Sequence, residues 1–257
     1  MKKEKLFALL SVIAIVFFSI SCSDKDKDID TDDEVTKLEF NTEEVINSLP
    51  DGLKSSDNEY AQQVVSYVES ATDWSSFADN LEPPEDAEII SLKSANTNKT
   101  YKWSWSYGGY SYAFYWEYSD DASKRYWDLD IQYNNGPRYN YIEAWESKSG
   151  TKGEIKYNFQ WVCASEESTS DCEDLYWVYT WEVDALNAYN FKYVWESTES
   201  EYEYYLSYDV KVNENGSGFV KYYINGGLLY YLIWDSIGNG SWTYYFGDLE
   251  QTGSWTV

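Results

Sequence analysis

Residues 101–119 read YKWSWSYGGYSYAFYWEYS, and this stretch indicates the fold. Aromatic residues occupy every second position from Trp103 to Tyr107, and again from Tyr110 to Tyr118. A period of two places these side chains on one face of an extended strand and the intervening residues on the other face. Gly108-Gly109 separates the two runs and accepts the positive φ angles of a tight turn. The stretch therefore predicts a β-hairpin with one aromatic face.

The same alternation continues to the C-terminus, for example in Trp127–Tyr133 and Tyr202–Val212, with no helical pattern between the segments. Asn215-Gly216, Asn225-Gly226 and Asn239-Gly240 predict hairpin turns, because both residue types accept left-handed backbone angles. Composition agrees, since the chain contains 27 Tyr and 13 Trp but only 4 Pro. Strands favour aromatic residues and exclude proline.

We therefore predict an all-β domain over residues 99–257. Its strands form an antiparallel up-and-down meander that closes into a barrel or a strongly curled sheet, because a long open sheet would leave edges unpaired. The final strand, near Trp255, should then pair with or lie close to an early strand near Trp103. An outer-membrane barrel is an alternative, since its strands also alternate. Against it, the aromatic residues run along whole strands and do not form two girdles.

Charge excludes several functions. The chain has 45 acidic and 19 basic residues, a formal net charge of −26, and no histidine. Such a surface repels nucleic acids, so we expect no nucleic-acid partner. The absence of histidine excludes Ser-His-Asp and Cys-His catalysis and the commonest zinc ligand. We expect neither a cofactor nor a metal ion.

The first 40 residues predict the cellular location of the protein. Lys2, Lys3 and Lys5 precede an apolar stretch of about 15 residues, which is typical of a signal peptide over residues 1–21. The junction Ser21-Cys22 resembles a bacterial lipobox, which implies cleavage after Ser21 and lipid attachment to Cys22. Residues 22–40 are too rich in acids to bury a core and predict a disordered tether.

Acidic residues directly after the lipobox cysteine resemble the export signal of Bacteroidota surface lipoproteins. Asp24, Asp26 and Asp28 carry this resemblance. It implies a protein that is anchored in the outer membrane through its lipid and faces the cell exterior. An ordinary signal peptide followed by a chance cysteine is the alternative.

Residues 41–82 predict a helical neck, with one short helix beginning near Asn41 and ending at Pro50. The pattern Ser56-x-x-Glu59 predicts a capping box that opens a longer helix. Tyr60, Val64, either Tyr67 or Val68, and Ala71 recur at helical spacing and predict the face that packs on the β domain. A partner-binding face is the alternative. Residues 83–98 then form a predicted linker.

Cys163 and Cys172 remain as a pair after Cys22 is assigned to the lipid anchor. In an exported protein such a pair predicts a disulfide bond. Its loop of about ten residues would stabilise the fold by about 2–3 kcal/mol. Two free thiols are the alternative.

Two functions remain open. The first is a non-enzymatic binding module with carbohydrate as the expected ligand, because aromatic rings stack on sugars and acids accept hydroxyl hydrogen bonds. Trp103 and Trp105 are the candidate ligand-binding residues, although aromatic residues also fill cores. The alternative is a glycan-cleaving hydrolase that uses paired carboxylates. Same-face pairs such as Asp128/Asp130 or Glu182/Asp184 have backbones about 7 Å apart, loosely in the range of glycosidases.

One further residue is a candidate modification site. Asp235-Ser236-Ile237 resembles the three-residue O-glycosylation sequon of Bacteroidota, with Ser236 as the acceptor. A chance match of three residues is the alternative.

Lipidation at Cys22 can be tested directly. The purified mature protein should carry a lipid-modified cysteine at its N-terminus, detected by mass spectrometry. A Cys22→Ser variant should lose this modification and leave the membrane fraction. Recovery of the unaltered protein in soluble, unlipidated form would contradict the prediction.

Overall fold

A computed structural model describes residues 42–73, 83–93, 98–107, 109–160, 175–197 and 204–257 of the 257-residue chain. Cys22, Cys163 and Cys172 lie outside these residues, as do the whole predicted signal peptide and the whole predicted tether. The predicted lipid anchor and disulfide bond therefore remain predictions.

In the part of the chain that the structure describes, thirteen strands form one antiparallel sheet, and their order in the sheet is their order in the chain. The predicted all-β antiparallel meander is thus confirmed. The strands are β1 (Glu88–Lys93), β2 (Asn98–Tyr107), β3 (Tyr110–Asp120), β4 (Lys124–Tyr133), β5 (Arg138–Ser147), β6 (Lys152–Asn158), β7 (Tyr176–Val183), β8 (Tyr189–Ser197), β9 (Tyr204–Val212), β10 (Gly218–Ile224), β11 (Gly227–Trp234), β12 (Gly240–Phe246) and β13 (Leu249–Trp255).

The sheet is open, and the predicted closure into a barrel is not found. Within the described residues β1 pairs only with β2 and β13 only with β12, so Trp255 does not pair with the strand of Trp103. Polar residues such as Glu250 and Gln251 lie exposed on β13. Charged and polar side chains protect an edge without closure. The structure of the predicted linker also differs from the prediction. Residues 88–93, which include Ile89 and Ile90, form the edge strand β1.

In the described residues, three helices precede the sheet: α1 (Thr42–Ser48), α2 (Asp51–Lys54) and α3 (Glu59–Asp73). None of the helices in the described ranges has the length and apolar character needed to span a membrane. Asn58, and not the predicted Ser56, caps α3, since its Oδ1 accepts hydrogen bonds from the backbone amides of Tyr60 and Ala61. Val64, Val68 and Ala71 of α3 are buried, as their spacing predicts.

Helix α3 crosses one face of the sheet from β7 to β12, which we call the helix face. The Tyr179 hydroxyl on β7 donates to the Ala71 carbonyl, 2.6 Å away, at one end of the helix. The Tyr60 ring stacks on Trp242 of β12 at the other end, with centroids 4.8 Å apart. Fifteen helical residues span about 22 Å and five strand spacings about 24 Å, so the helix and the sheet match in length.

Glycine opposite tryptophan is a recurring packing device on the helix face. Gly153 pairs with Trp181, Gly218 with Trp234 and Gly240 with Trp255 on neighbouring strands. In each pair, a Cβ on the glycine would collide with the indole ring. The indole Nε1 of Trp234 also donates to the Gly216 carbonyl, 2.7 Å away. Gly240 therefore leaves room for a tryptophan ring, although the sequence predicts it in a hairpin turn. The turn residue with a positive φ is Gly238.

An added methyl group at Gly218 tests this device. A Cβ there would meet the Lys211 carbonyl oxygen and would lie 2.5 Å from Cζ2 of Trp234. We expect Gly218→Ala to lower the free energy of unfolding by about 1–3 kcal/mol, measured by urea denaturation. Gly227→Ala is the matched control, because the atom nearest to an added Cβ would be the Ile224 carbonyl oxygen at 3.4 Å and the φ of Gly227 is not positive. Equal unfolding midpoints for the two variants would contradict the packing argument.

Candidate functional site

The sequence-predicted ligand residues Trp103 and Trp105 lie in a ladder of aromatic rings on β2–β4. The Trp103 ring stacks on Phe114, with centroids 5.4 Å apart and planes 12° from parallel. The Trp105 ring lies 5.4 Å from Tyr112, which in turn lies 5.4 Å from Tyr133. Both tryptophans are half-buried, and Trp103 packs against the core.

This geometry weakens the case for a sugar platform at Trp103 and Trp105. A sugar stacks on the open face of an aromatic ring. The Trp103 ring uses a face to stack on its cross-strand neighbour, as rings do in a structural ladder. The structure thus brings the two predicted residues into one aromatic cluster, and their role in ligand binding stays a prediction.

A cleft of about 480 Å³ lies on the opposite side of the sheet, which we call the polar face. This volume is in the range of small-molecule sites. The polar-face cleft crosses strands β5 to β10, a distance of about 24 Å at the usual strand spacing. The side chains that line it on the polar face are Trp145, Lys152, Glu154, Thr180, Glu182, Asn190, Lys192, Asp209, Lys211 and Phe219.

Aromatic rings stand at both ends of the cleft. Trp145 on β5 forms one end, and Nζ of Lys124 lies 3.5 Å from the centroid of its ring. Phe219 on β10 forms the other end and packs edge-on against Tyr231, with centroids 6.2 Å apart. Charged and amide side chains lie between these ends. The arrangement combines apolar surface with many hydrogen-bonding groups, which suits an extended, hydroxyl-rich ligand.

Asp209 is the most unusual group of the cleft. Its Oδ1 atom is buried, yet it accepts no hydrogen bond from the described residues. Asp209 lies directly opposite Lys192 of β8 and Lys221 of β10 in the register of the sheet. Buried polar atoms are nearly always hydrogen-bonded, so this oxygen is an acceptor in need of a donor. Because this oxygen has almost no exposed surface, a ligand hydroxyl in the cleft would bond to it after the Asp209 side chain turns toward the cleft.

Ion pairs fix the end of the cleft near the β7–β8 turn. Nζ of Lys152 lies 3.3 Å from Glu182, and Nζ of Lys211 lies 3.2 Å from Asp184. Hydrogen bonds from the backbone amides of Ala188 and Leu186 lower the pKa of Asp184 to about 2. Asp184 is therefore a turn-capping carboxylate that stays ionised, and the predicted pair Glu182/Asp184 is held by lysines.

The other predicted carboxylate pair, Asp128/Asp130, lies outside the cleft on β4. Asp128 faces Glu117 and Glu143 directly across the neighbouring strands. Partial burial raises the pKa of Asp128 to about 6, with further contributions from Glu143, Asp130 and Glu117. Burial also raises the pKa of Asp130. In the described part of the chain, no three His, Cys, Asp or Glu side chains form a group that could hold a metal ion.

Ser236 lies exposed at the tip of the β11–β12 turn. The neighbouring Asp235 uses its Oδ1 to accept hydrogen bonds from the backbone amides of Ile237, Gly238 and Asn239. The hydroxyl of Ser236 is thus on a fixed, accessible turn, but its modification remains a prediction.

Sequence reasoning named Glu182 but missed the other residues of the polar-face cleft. The signal was available in part, because Lys192, Lys211 and Lys221 occupy polar positions of successive predicted strands. The position of Trp145 could not be read from the sequence, since a β-bulge places it on the polar face. In the register of β4 and β5, Leu129 faces Ile142 while Asp130 faces Asn140, so Tyr141 is an extra residue.

No protein-family model, no curated protein and no solved structure matches this chain. The function is therefore argued from the geometry of the described residues alone.

The raised pKa of Asp128 predicts a pH dependence of stability. The folded state holds the proton with a pKa of about 6, above the ordinary value of 3.8. This group therefore stabilises the fold below about pH 4, and that contribution is lost as the pH rises through 6. Because the side chain stays partly in contact with water, we expect Asp128→Asn to raise the free energy of unfolding at pH 7 by about 0.5–1 kcal/mol.

Urea denaturation at several pH values measures this effect. The free energy of unfolding of the Asp128→Asn variant should exceed that of the unaltered protein at pH 7, and this difference should decrease as the pH is lowered to about 4. Glu250→Gln on β13 is the control, and it should show no such pH-dependent difference. A constant advantage at all pH values would contradict the assignment.

Proposed function

We propose that this protein is a non-catalytic carbohydrate-binding protein whose ligand lies in the polar-face cleft. The observation that carries the proposal is Asp209, a buried carboxylate oxygen without a hydrogen-bond donor inside a cleft of sugar-binding composition. Sugar hydroxyls donate to carboxylates, and aromatic rings such as Trp145 and Phe219 supply apolar contact.

The shape of the cleft supports an extended ligand. A groove that crosses six neighbouring strands accommodates a chain of several sugar units more readily than one compact molecule. Exposed polar side chains along the groove can exchange bonds to water for bonds to sugar hydroxyls at little cost.

We further propose that Cys22 anchors the protein in the outer membrane, with residues 22–40 as the tether and the sheet facing the cell exterior. The support is the Ser21-Cys22 junction and the acidic run that follows it. A flexible acidic tether extends by self-repulsion, which would hold the cleft away from the membrane surface.

A glycan-cleaving hydrolase is the alternative function. The pKa of Asp128 near 6 favours it, because a general acid must hold a proton near neutral pH. Asp128 lies outside the cleft, whereas Glu182, which lines the cleft, is paired with Lys152. Neither candidate pair combines a sugar-sized cleft with a protonated carboxyl, so binding without cleavage has the better support. New reducing ends in a glycan incubated with the protein would favour the hydrolase.

A glycan array with the mature protein tests the proposal. We expect binding to one class of oligosaccharide, and we expect Asp209→Asn to weaken it about tenfold, because a hydrogen bond to a charged group is replaced by a weaker one. Glu143→Gln is the matched control on the same face but outside the cleft, and it should bind as the unaltered protein does.

Thermal melting of the variants would show that they are folded. If the folded, unaltered protein binds no glycan on the array, the proposed function is wrong. If it binds glycans but Asp209→Asn has no effect, the ligand lies elsewhere on the molecule.

A further inference from the structure

Lysine residues concentrate on the polar face of strands β6 to β10. The chain has only 19 basic residues against 45 acidic ones. Five lysines nevertheless lie in or beside the polar-face cleft, on four of its six strands: Lys152, Lys156, Lys192, Lys211 and Lys221. The local charge around the cleft therefore differs from the strongly negative charge of the whole chain.

Three of these lysines, Lys156, Lys192 and Lys221, form no ion pair with a carboxylate within the described residues, and Nζ of Lys156 lies 5.0 Å from the ring centroid of Tyr176. Lys152 and Lys211 form ion pairs with Glu182 and Asp184. Lys192 and Lys221 form none, although each lies opposite Asp209. Nζ of Lys221 instead lies 4.9 Å from the ring centroid of Phe219 and 5.4 Å from that of Tyr231.

The spacing of these groups fits a repeating ligand. Lys192, Asp209 and Lys221 form one row across β8, β9 and β10, and the two lysines are two strand spacings apart, about 10 Å along the sheet. A sugar chain that crosses the strands would meet a cation, a carboxylate and a second cation in turn. Asp209 would accept from a hydroxyl, and the lysines would donate to anionic substituents.

We propose that the cleft binds an acidic glycan, whose sugar rings carry carboxylate or sulfate groups, through Lys192 and Lys221. This inference rests on the proposed carbohydrate binding and names the class of sugar. The net charge of the chain does not oppose it at physiological ionic strength, where charges more than about 8 Å apart are largely screened. Contacts inside the cleft then decide the affinity.

Matched pairs of sugars test the inference. The probes are oligogalacturonate and its carboxyl-reduced form, and a sulfated galactan oligosaccharide and its desulfated form, titrated into the mature protein by calorimetry. At least one acidic sugar should bind about tenfold more tightly than its neutral counterpart. The pair in which this preference occurs identifies the anionic group as carboxylate or sulfate.

Two double variants distinguish the effect of Lys192 and Lys221 from the effect of the overall charge of the protein. The double substitution Lys192→Gln and Lys221→Gln should abolish the preference, because it removes the two cations that would meet the anionic groups of the sugar. The double substitution Lys54→Gln and Lys102→Gln removes the same charge outside the cleft and should retain the preference. All four side chains lie on the surface, and melting curves would confirm that the variants are folded.

The outcomes distinguish this inference from the proposed function. Equal affinity for acidic and neutral sugars would overturn the acidic-glycan inference and leave carbohydrate binding intact. A preference that survives the Lys192→Gln and Lys221→Gln double substitution would overturn the role of these lysines. Failure of every sugar to bind, on these titrations and on the array, would overturn both proposals.

Discussion

The alternation of side chains along each strand is the constraint on which the rest of the structure depends. The helices pack on the helix face of the sheet, and each strand sends alternate side chains toward it. Some of the large aromatic residues are buried where the opposite strand leaves room for the ring, as at Gly153 and Gly218. The polar face has no such packing requirement, so its side chains are available to contact a ligand.

A single extra residue redirects this alternation in β5. Tyr141 is an extra residue in the register of β5 against β4, and a one-residue slip exchanges the two faces for the rest of the strand. Trp145 therefore lies on the polar face, at one end of the cleft. Glu146 is instead fully buried on the helix face, where it pairs with Arg125 at 3.3 Å. The bulge thus gives the cleft its aromatic end at the cost of a buried ion pair.

The fold could be predicted from the sequence because alternation and turn residues are local signals. The Asn225-Gly226 turn has the positive φ angles that its residue types favour, and it joins β10 to β11 as expected. Closure of the sheet into a barrel was predicted wrongly. Whether the first and last strands meet depends on the twist that accumulates over all the strands, and no single residue indicates that twist. The cleft was missed because Lys192, Asp209 and Lys221 become neighbours only through the register of three strands.

The position of α3 affects how firmly the strands that form the cleft are held in place. The helix packs on the helix face of β7 to β12, while the cleft lies on the polar face of β5 to β10, so most of the cleft has the helix directly behind it. Asp209, for example, lies between Tyr208 and Val210 in the chain, and Val210 is buried while Tyr208 packs on Tyr67 of α3. Strands held in this way keep their polar side chains at fixed spacings. A ligand then meets a preorganised surface and loses less free energy to ordering when it binds.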